Sequence, residues 1–247
     1  MPEHPDRPRP SRLRGRVRLT WTIVSLVLVE ALICGLSVLP VLVGWQILLD
    51  LPLGNGLPRL LLLSVAVAPS YLEFALLVMF LSAFIVRLVG WRTPDDATMR
   101  IDEMDWPLLT WVRYVTSIHV VRVFAGRLFC GSPIWTSYLR LNGAKLGRRV
   151  YVNSPFVSDH NLLEFDDGVV IGSEVHLSGH TAEHGVIRTG AVRLGRDVTI
   201  GLSSVIDIDV VAGPGCQVGA LSFVPKHARL EAGAVYVGIP VRRLPDH

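Results

Sequence analysis

The C-terminal half of this chain repeats every six residues, a period that very few folds can accommodate. From Leu194 onward, Leu194, Ile200, Ile206, Ala212, Val218, Val224 and Leu230 follow one another at that spacing. A second row, two residues earlier, is small or aliphatic: Val192, Val198, Ser204, Val210, Cys216, Ser222 and Ala228. Glycine directly follows the first row at Gly195, Gly201, Gly213 and Gly219, and the register extends upstream through Leu146-Gly147, Phe165, Ile171-Gly172 and Leu177. An amphipathic helix repeats about every 3.6 residues and a half-buried strand about every two. A six-residue unit suits a triangular coil of short strands and turns, three units per turn, with glycine expected where the chain bends. Stacked coils then bury an apolar ladder that no single repeat could bury alone.

The register breaks twice. One break lies between Val152 and Phe165, the other between Leu177 and Leu194, which are seventeen residues apart instead of eighteen. The second break holds "LSGHTAEHGVI", with His180 and His184 four residues apart, where a loop must leave the prism. A histidine there is a candidate general base, because imidazole titrates near neutrality. The first break holds "SDHN", Ser158 to Asn161, one coil earlier and expected to stack beside the loop. Glu164, Asp166 and Asp167 read as ordinary acids at coil corners. The two loop histidines have no third ligand at matching spacing, so no metal site is expected.

The N-terminal half follows a different pattern. The 247-residue chain is 50% hydrophobic and 18% charged, and nearly all the apolar excess lies between Leu19 and Val89. The runs Thr20–Leu49 and Leu60–Gly90 each exceed the roughly 20 residues that cross a bilayer. The first is too long for a signal peptide and lacks a small-residue cleavage site. The expected division is a basic segment over 1–19, two transmembrane helices over 20–90, a linker with an interfacial helix over 91–137, and the repeat domain over 138–247. Six arginines within Arg7 to Arg18, with Arg87 and Arg92 after the second run, place both termini in the cytoplasm of a multi-pass cell-membrane protein. Each span carries a proline, Pro40 or Pro69, and a carboxylate, Glu30 or Glu73. Such membrane carboxylates read as groups at a helix or subunit interface, and a transport role through oligomerised spans is a lesser alternative. Pro107 can open a helix whose mixed face of aromatics and arginines suits anionic lipid; packing against the soluble domain is the alternative. The net charge of +3 gives no reason to expect nucleic acid, and Cys34, Cys130 and Cys216 have no disulfide or metal spacing.

These motifs carry a resemblance. The region from about Tyr138 to Leu244 resembles the left-handed parallel β-helix of the hexapeptide-repeat acyltransferases. Its run "LSGHTAEHGVIRTGAVRLGRDVTIGLSSVI" is similar to a stretch of galactoside and maltose acetyltransferases, and its closing "SFVPKHARLEAGAVYVGIPVRRL" matches their lysine turn and G-x-P unit. From roughly Leu60 onward the chain also resembles the C-terminal membrane module of polylysine-type nonribosomal peptide synthetases, in "YLRLNGAKLGRRVYV", "SDHNLLEFDDGVVIGSEVHLSGH" and "VGALSFVPK". The adenylation and carrier domains of those enzymes are absent from it, so a free-standing relative is expected.

The resemblance implies His180 as catalytic base. It implies Asp159 and Asn161 as acceptor-binding residues, with His160 as their rival from the same stretch; His184 has no counterpart there and is read from its place in the loop as a lesser substrate contact. It implies no bound cofactor, a thioester co-substrate on coenzyme A or on carrier-protein phosphopantetheine, and a homotrimer. The chain has Thr199 where many relatives have tryptophan, which leaves the donor open. The expected function is a membrane-anchored acyltransferase moving an acyl or aminoacyl group to a hydroxyl or amine at the cytoplasmic face. The alternative is a non-catalytic β-helix scaffold for a peptide synthetase or an envelope-polymer assembly.

Overall fold

The computed structural model describes residues 12–52, 54 and 56–245. Most of the basic 1–19 segment, including Arg7 and Arg9, lies outside the described residues. Two long helices open the described chain, α1 (Arg12–Leu49) and α2 (Leu57–Leu88), with Pro40 and Pro69 inside them. Both are long and apolar enough to cross a membrane. Pro58 sits in the first turn of α2, where the amide hydrogen it lacks would have had no intrahelical partner. The Trp45 indole donates to Ser70 Oγ at 2.8 Å and ties the two helices together.

The second half of α2 is also part of the β-helix core. Ala75, Val78, Met79, Ser82, Ala83 and Val86 are buried at three- and four-residue spacing, one helical face. Ala75, Val78, Met79 and Ala83 belong to the same hydrophobic cluster as the β-helix interior. The helix α3 (Trp106–Val121) runs on through a π-helical stretch, Arg122–Gly126, and a final turn, Arg127–Phe129. The sequence pattern allows this segment to lie on lipid or to pack on the rest of the protein. Leu108, Leu109, Arg113, Tyr114, Ser117, Ile118 and Val121 are buried, and the helix packs on both α1 and α2. Its apolar residues form no single stripe because it has neighbours on more than one side. A short helix, α4 (Pro133–Leu141), is capped by Ser132 Oγ, which accepts from the Trp135 amide at 3.3 Å. It sends Trp135 and Tyr138 fully into the core.

From Lys145 the chain winds into short strands stacked as three parallel sheets. One face stacks Leu146, Phe165, Leu194, Ala212 and Leu230. The second stacks Val152, Ile171, Ile200, Val218 and Tyr236. The third stacks Val157, Leu177, Ile206 and Val224. This is the hexapeptide-repeat β-helix, and all of these side chains but Leu146 are buried. The polar members of the second row are satisfied inside it: Ser204 Oγ donates to Gly219 O at 2.9 Å and accepts from the Ser222 amide at 3.2 Å.

Two features of the repeat differ from the sequence expectation. In the regular coils, partners lie eighteen residues apart, as in Ile200 and Val218. Across the second break they lie twenty-nine apart, as in Ile171 and Ile200. The break is therefore an insertion of eleven residues and not a coil one residue short. The glycines that follow the aliphatic row also do not make the bends. The left-handed residues come two positions later and recur every six as Asp197, Ser203, Asp209, Gly215, Leu221, His227 and Gly233. Glycine is needed because the next coil passes too close for a side chain: a Cβ on Gly201 would lie 2.5 Å from Ala220 N. Gly201→Ala should therefore destabilise the β-helix by about 1–3 kcal/mol, since backbone cannot yield as a flexible side chain does. A denaturant melt with an unchanged m-value would show it.

The insertion forms a hairpin of His180–Glu183 with Val186–Thr189. His184 and Gly185 take positive φ, 49° and 75°, at its tip, as a tight two-residue turn requires. A linker strand, Thr98–Arg100, pairs antiparallel with the second hairpin strand. Met99 there is buried with Leu108 and Ile187. The Thr189 hydroxyl fixes the same linker, donating to Pro94 O at 2.7 Å and accepting from the Ala97 amide at 2.9 Å. The hairpin is held against the prism by the linker that follows α2.

Candidate active site

His180 is the first residue of the hairpin, at its root on the prism wall. Its Nδ1 lies 2.6 Å from Asp159 Oδ2. Asp159 comes from the first register break, so the two irregularities stack in adjacent coils. The Asp159 backbone is left-handed, φ 51° and ψ 48°, and a 3₁₀ turn, His160–Leu162, follows it. Aspartate tolerates this region better than most residues. Gly179 makes the approach possible, because a Cβ there would sit 2.8 Å from the Asp159 Cβ. Its amide instead donates to Asp159 Oδ2 at 3.1 Å.

The Asp159 carboxylate is fully buried. Oδ2 accepts from His180, the Gly179 amide and Ser158 Oγ, the last at 3.0 Å. Oδ1 accepts from Thr93 Oγ1 at 2.6 Å and Trp111 Nε1 at 3.2 Å. Burial alone would push this carboxyl up, but the His180 bond and charge, with the Thr93 and Ser158 hydroxyls, bring it below the ordinary range. Burial likewise pushes His180 down, and the bond to Asp159 and its charge outweigh it, so His180 titrates above the ordinary histidine value. A carboxylate can only accept, so Nδ1 carries the proton and Nε2 keeps the free lone pair. The Trp111 ring meets the imidazole edge-on with centroids 4.9 Å apart and limits its rotation. The His180 side chain remains 25% exposed, enough to meet a reactant.

The other candidates separate. Asp159 was expected at the acceptor, but it has no exposed surface and holds His180 instead. His160 is likewise fully buried, with Tyr114 and Tyr138 rings edge-on to it. Its Nε2 donates to Val157 O at 3.1 Å, and burial pushes its pKa down to about 4. It is a neutral core histidine and cannot touch an acceptor. Asn161 grips the linker from both sides: its Oδ1 accepts from the Thr93 amide at 3.2 Å and its Nδ2 donates to Thr93 O at 2.9 Å. His184 is exposed at the hairpin tip, away from the root where His180 sits. In the two long helices, Glu30 Oε1 accepts from Ser117 Oγ of α3, a helix–helix contact, and Glu73 is exposed on α2.

Sequence reasoning missed Thr93 and Trp111. Neither belongs to a repeat or a motif, and the only signal was a threonine before Pro94 in a polar linker. Thr93 is 1% exposed, and a hydrogen bond to a charged group contributes about 1.5–3 kcal/mol. Thr93→Val should therefore lower the stability by that order and reduce turnover, while Thr93→Ser should restore both. Paired thermal melts and rate measurements check this.

No protein-family model matches the chain. Over 136 residues it is 29% identical to the delta-poly-L-ornithine synthetase of Acinetobacter baumannii (strain AB307-0294), a stretch covering 55% of this chain. The chain spans only 10% of the length of that curated relative. Among solved structures it is similar to a hexapeptide-repeat-containing acetyltransferase of Vibrio cholerae O1 biovar eltor complexed with acetyl coenzyme A. The identity there is 20%, over 42% of this chain and 60% of that one, with a TM-score of 0.39. It is also similar to a maltose O-acetyltransferase of Clostridium difficile 630, at 18% identity over 54% of this chain and 86% of that one, with a TM-score of 0.39.

Proposed function

We propose that this chain is a membrane-anchored acyltransferase with His180 as its general base. The observation that carries this reading is an imidazole at the root of a rigidly held hairpin, hydrogen-bonded through Nδ1 to a fully buried carboxylate. A hydroxyl or amine acceptor gives its proton to Nε2 as its oxygen or nitrogen attacks a thioester carbonyl. The carbon–sulfur bond then breaks, and the thiolate leaves with the proton from the imidazolium. Asp159 stays ionised throughout and stabilises the imidazolium between the two steps. Thr93, Trp111, Ser158 and Gly179 act through Asp159 as positioning residues.

The donor is an acyl or aminoacyl thioester of coenzyme A or of a carrier protein. The likeness to part of a poly-L-ornithine synthetase supports an aminoacyl or peptidyl group on one side of the reaction. The two apolar helices serve as the anchor, with both termini cytoplasmic, and the protein works as a homotrimer beside a carrier protein or synthetase. An anchored site suits an acceptor made at the bilayer or exported through it.

The test offers the full chain in detergent acyl and aminoacyl thioesters of coenzyme A and of a carrier protein. A panel of amines and hydroxyls serves as acceptors, and thiol release is followed beside His180→Ala. Acceptor-dependent thiol release that needs His180 supports the reading. Undiminished turnover in His180→Ala would remove the hairpin from the mechanism. Absence of thiol release with every donor, together with tight binding of a synthetase, would make the chain a scaffold.

A further inference from the structure

A cavity of about 1100 Å³ opens where α2 ends and the β-helix begins, on the other side of Thr93 and Asn161 from His180. Its walls are the last turn of α2, the linker start, the first turns of α3 and the end of α4. Arg87 and Arg92 line it, and neither guanidinium has a hydrogen-bond or ion-pair partner among the described residues. The indoles of Trp91 and Trp106 line it too, with Asn142 and Asn161 as neutral polar groups. Behind the indoles lies Arg113, its guanidinium carbon 5.7 Å from the Trp91 centroid and 5.6 Å from that of Trp106. Arg113 is 5% exposed, and its Nη2 is buried without a partner among the described residues. Against these three cations the cavity presents one carboxylate, the exposed Asp95.

We infer that this cavity binds the anionic, phosphate-bearing headgroup of a membrane lipid. The inference rests on the reading of α1 and α2 as membrane spans. Arginines at a span end ordinarily extend into bulk solvent or toward any anionic surface. Here they line a concave site whose aromatic wall suits the boundary between headgroup and acyl chain. The volume slightly exceeds the ordinary small-molecule range of roughly 300–1,000 Å³, so it holds a substituted headgroup with the start of its chains. A bare phosphate would leave most of it unfilled. Thr93 and Asn161 form the partition, so an occupant would sit one residue layer from the carboxylate that orients His180.

The experiment uses the full chain in detergent, with phosphatidylglycerol or phosphatidylcholine added and lipid adducts counted by native mass spectrometry. At about 1 kcal/mol per arginine near an anionic headgroup, the two lining arginines predict a preference for phosphatidylglycerol of roughly thirtyfold. That preference should vanish in the double variant Arg87→Gln/Arg92→Gln and persist in Arg127→Gln, which removes an exposed arginine outside the cavity. Retained thiol-release activity or an unchanged melt would show that the double variant is folded. Equal adducts of the two lipids, an unchanged preference in the double variant, or equal loss in Arg127→Gln would overturn the site. Displacement of the lipid by millimolar inorganic phosphate alone would also overturn it, in favour of a free anion. A full chain that stays soluble without detergent would instead undo the membrane reading itself.

Discussion

Replacing His180 with alanine should lower acceptor-dependent thiol release by about 10²–10⁴-fold, the range that a positioned general base contributes. The fall should be in kcat more than in KM, because the imidazole acts on a proton in flight and not on the bound ground state. The pH profile of the unsubstituted protein should rise with pH and level off above the ordinary histidine value, since Asp159 holds the imidazolium and raises its pKa. The alanine variant should lose that limb. Stability should run the other way. A histidine whose folded pKa is raised stabilises the fold fully below its unfolded value near 6.5, and this contribution is lost as pH rises through the folded value. Asp159, with a depressed folded pKa, adds stability above its unfolded value near 3.8 that is lost only in stronger acid. The melting temperature should therefore exceed that of His180→Ala most between those two values and least in alkali, where turnover is highest. A variant equally stable and equally active across that range would remove the ion pair from both roles.

Asp159→Asn should be nearly as damaging to turnover, by about 10²–10⁴-fold, although it removes only one oxygen. All five partners of this carboxylate among the described residues point a hydrogen at it. An amide placed with its NH₂ at the Oδ2 position faces the Gly179 amide and the His180 Nδ1 proton. Turned over, it faces the Trp111 indole N–H. Neither orientation satisfies every donor, and each buried donor left unpaired costs about 1–3 kcal/mol. The first orientation also draws the Nδ1 proton to Nε2, the wrong nitrogen for a base. Loss of the negative charge should move the acid limb of any residual activity to lower pH, which separates this outcome from simple unfolding. A pH–rate profile beside a denaturant melt checks both effects, and a variant with the original acid limb would break the link between Asp159 and His180.

Much of this arrangement was legible in the amino-acid order, and the remainder was not for definite reasons. The aliphatic ladder was readable because every coil repeats the same contact with the one above, so residues eighteen apart obey one rule. The hairpin was readable as an interruption of that rule. Asp159 was found as a candidate but assigned to the acceptor. Its role depends on which way a left-handed residue in the earlier break turns its carboxylate, and spacing does not encode that. The glycines after the aliphatic row looked like bends because glycine commonly is one. The next coil, which a Cβ on Gly201 would meet at 2.5 Å, shows the different reason for them. The strand Thr98–Arg100 is three residues long and exists only because the hairpin offers it an edge.

By itself, the sequence determined a six-residue prism, the position of its interruption, two helices of membrane-crossing length, and the histidine that we propose as the base. Each of these is local or repeats at a constant interval, so a period or a run of apolar residues is enough to reveal it. The tertiary structure alone decided what orients that histidine. Thr93 and Trp111 reach Asp159 from 66 and 48 residues away in the chain, carried there by the packing of α2 and α3 against the first coils. A contact of that kind follows from how two surfaces dock, and no stretch of the chain contains both surfaces.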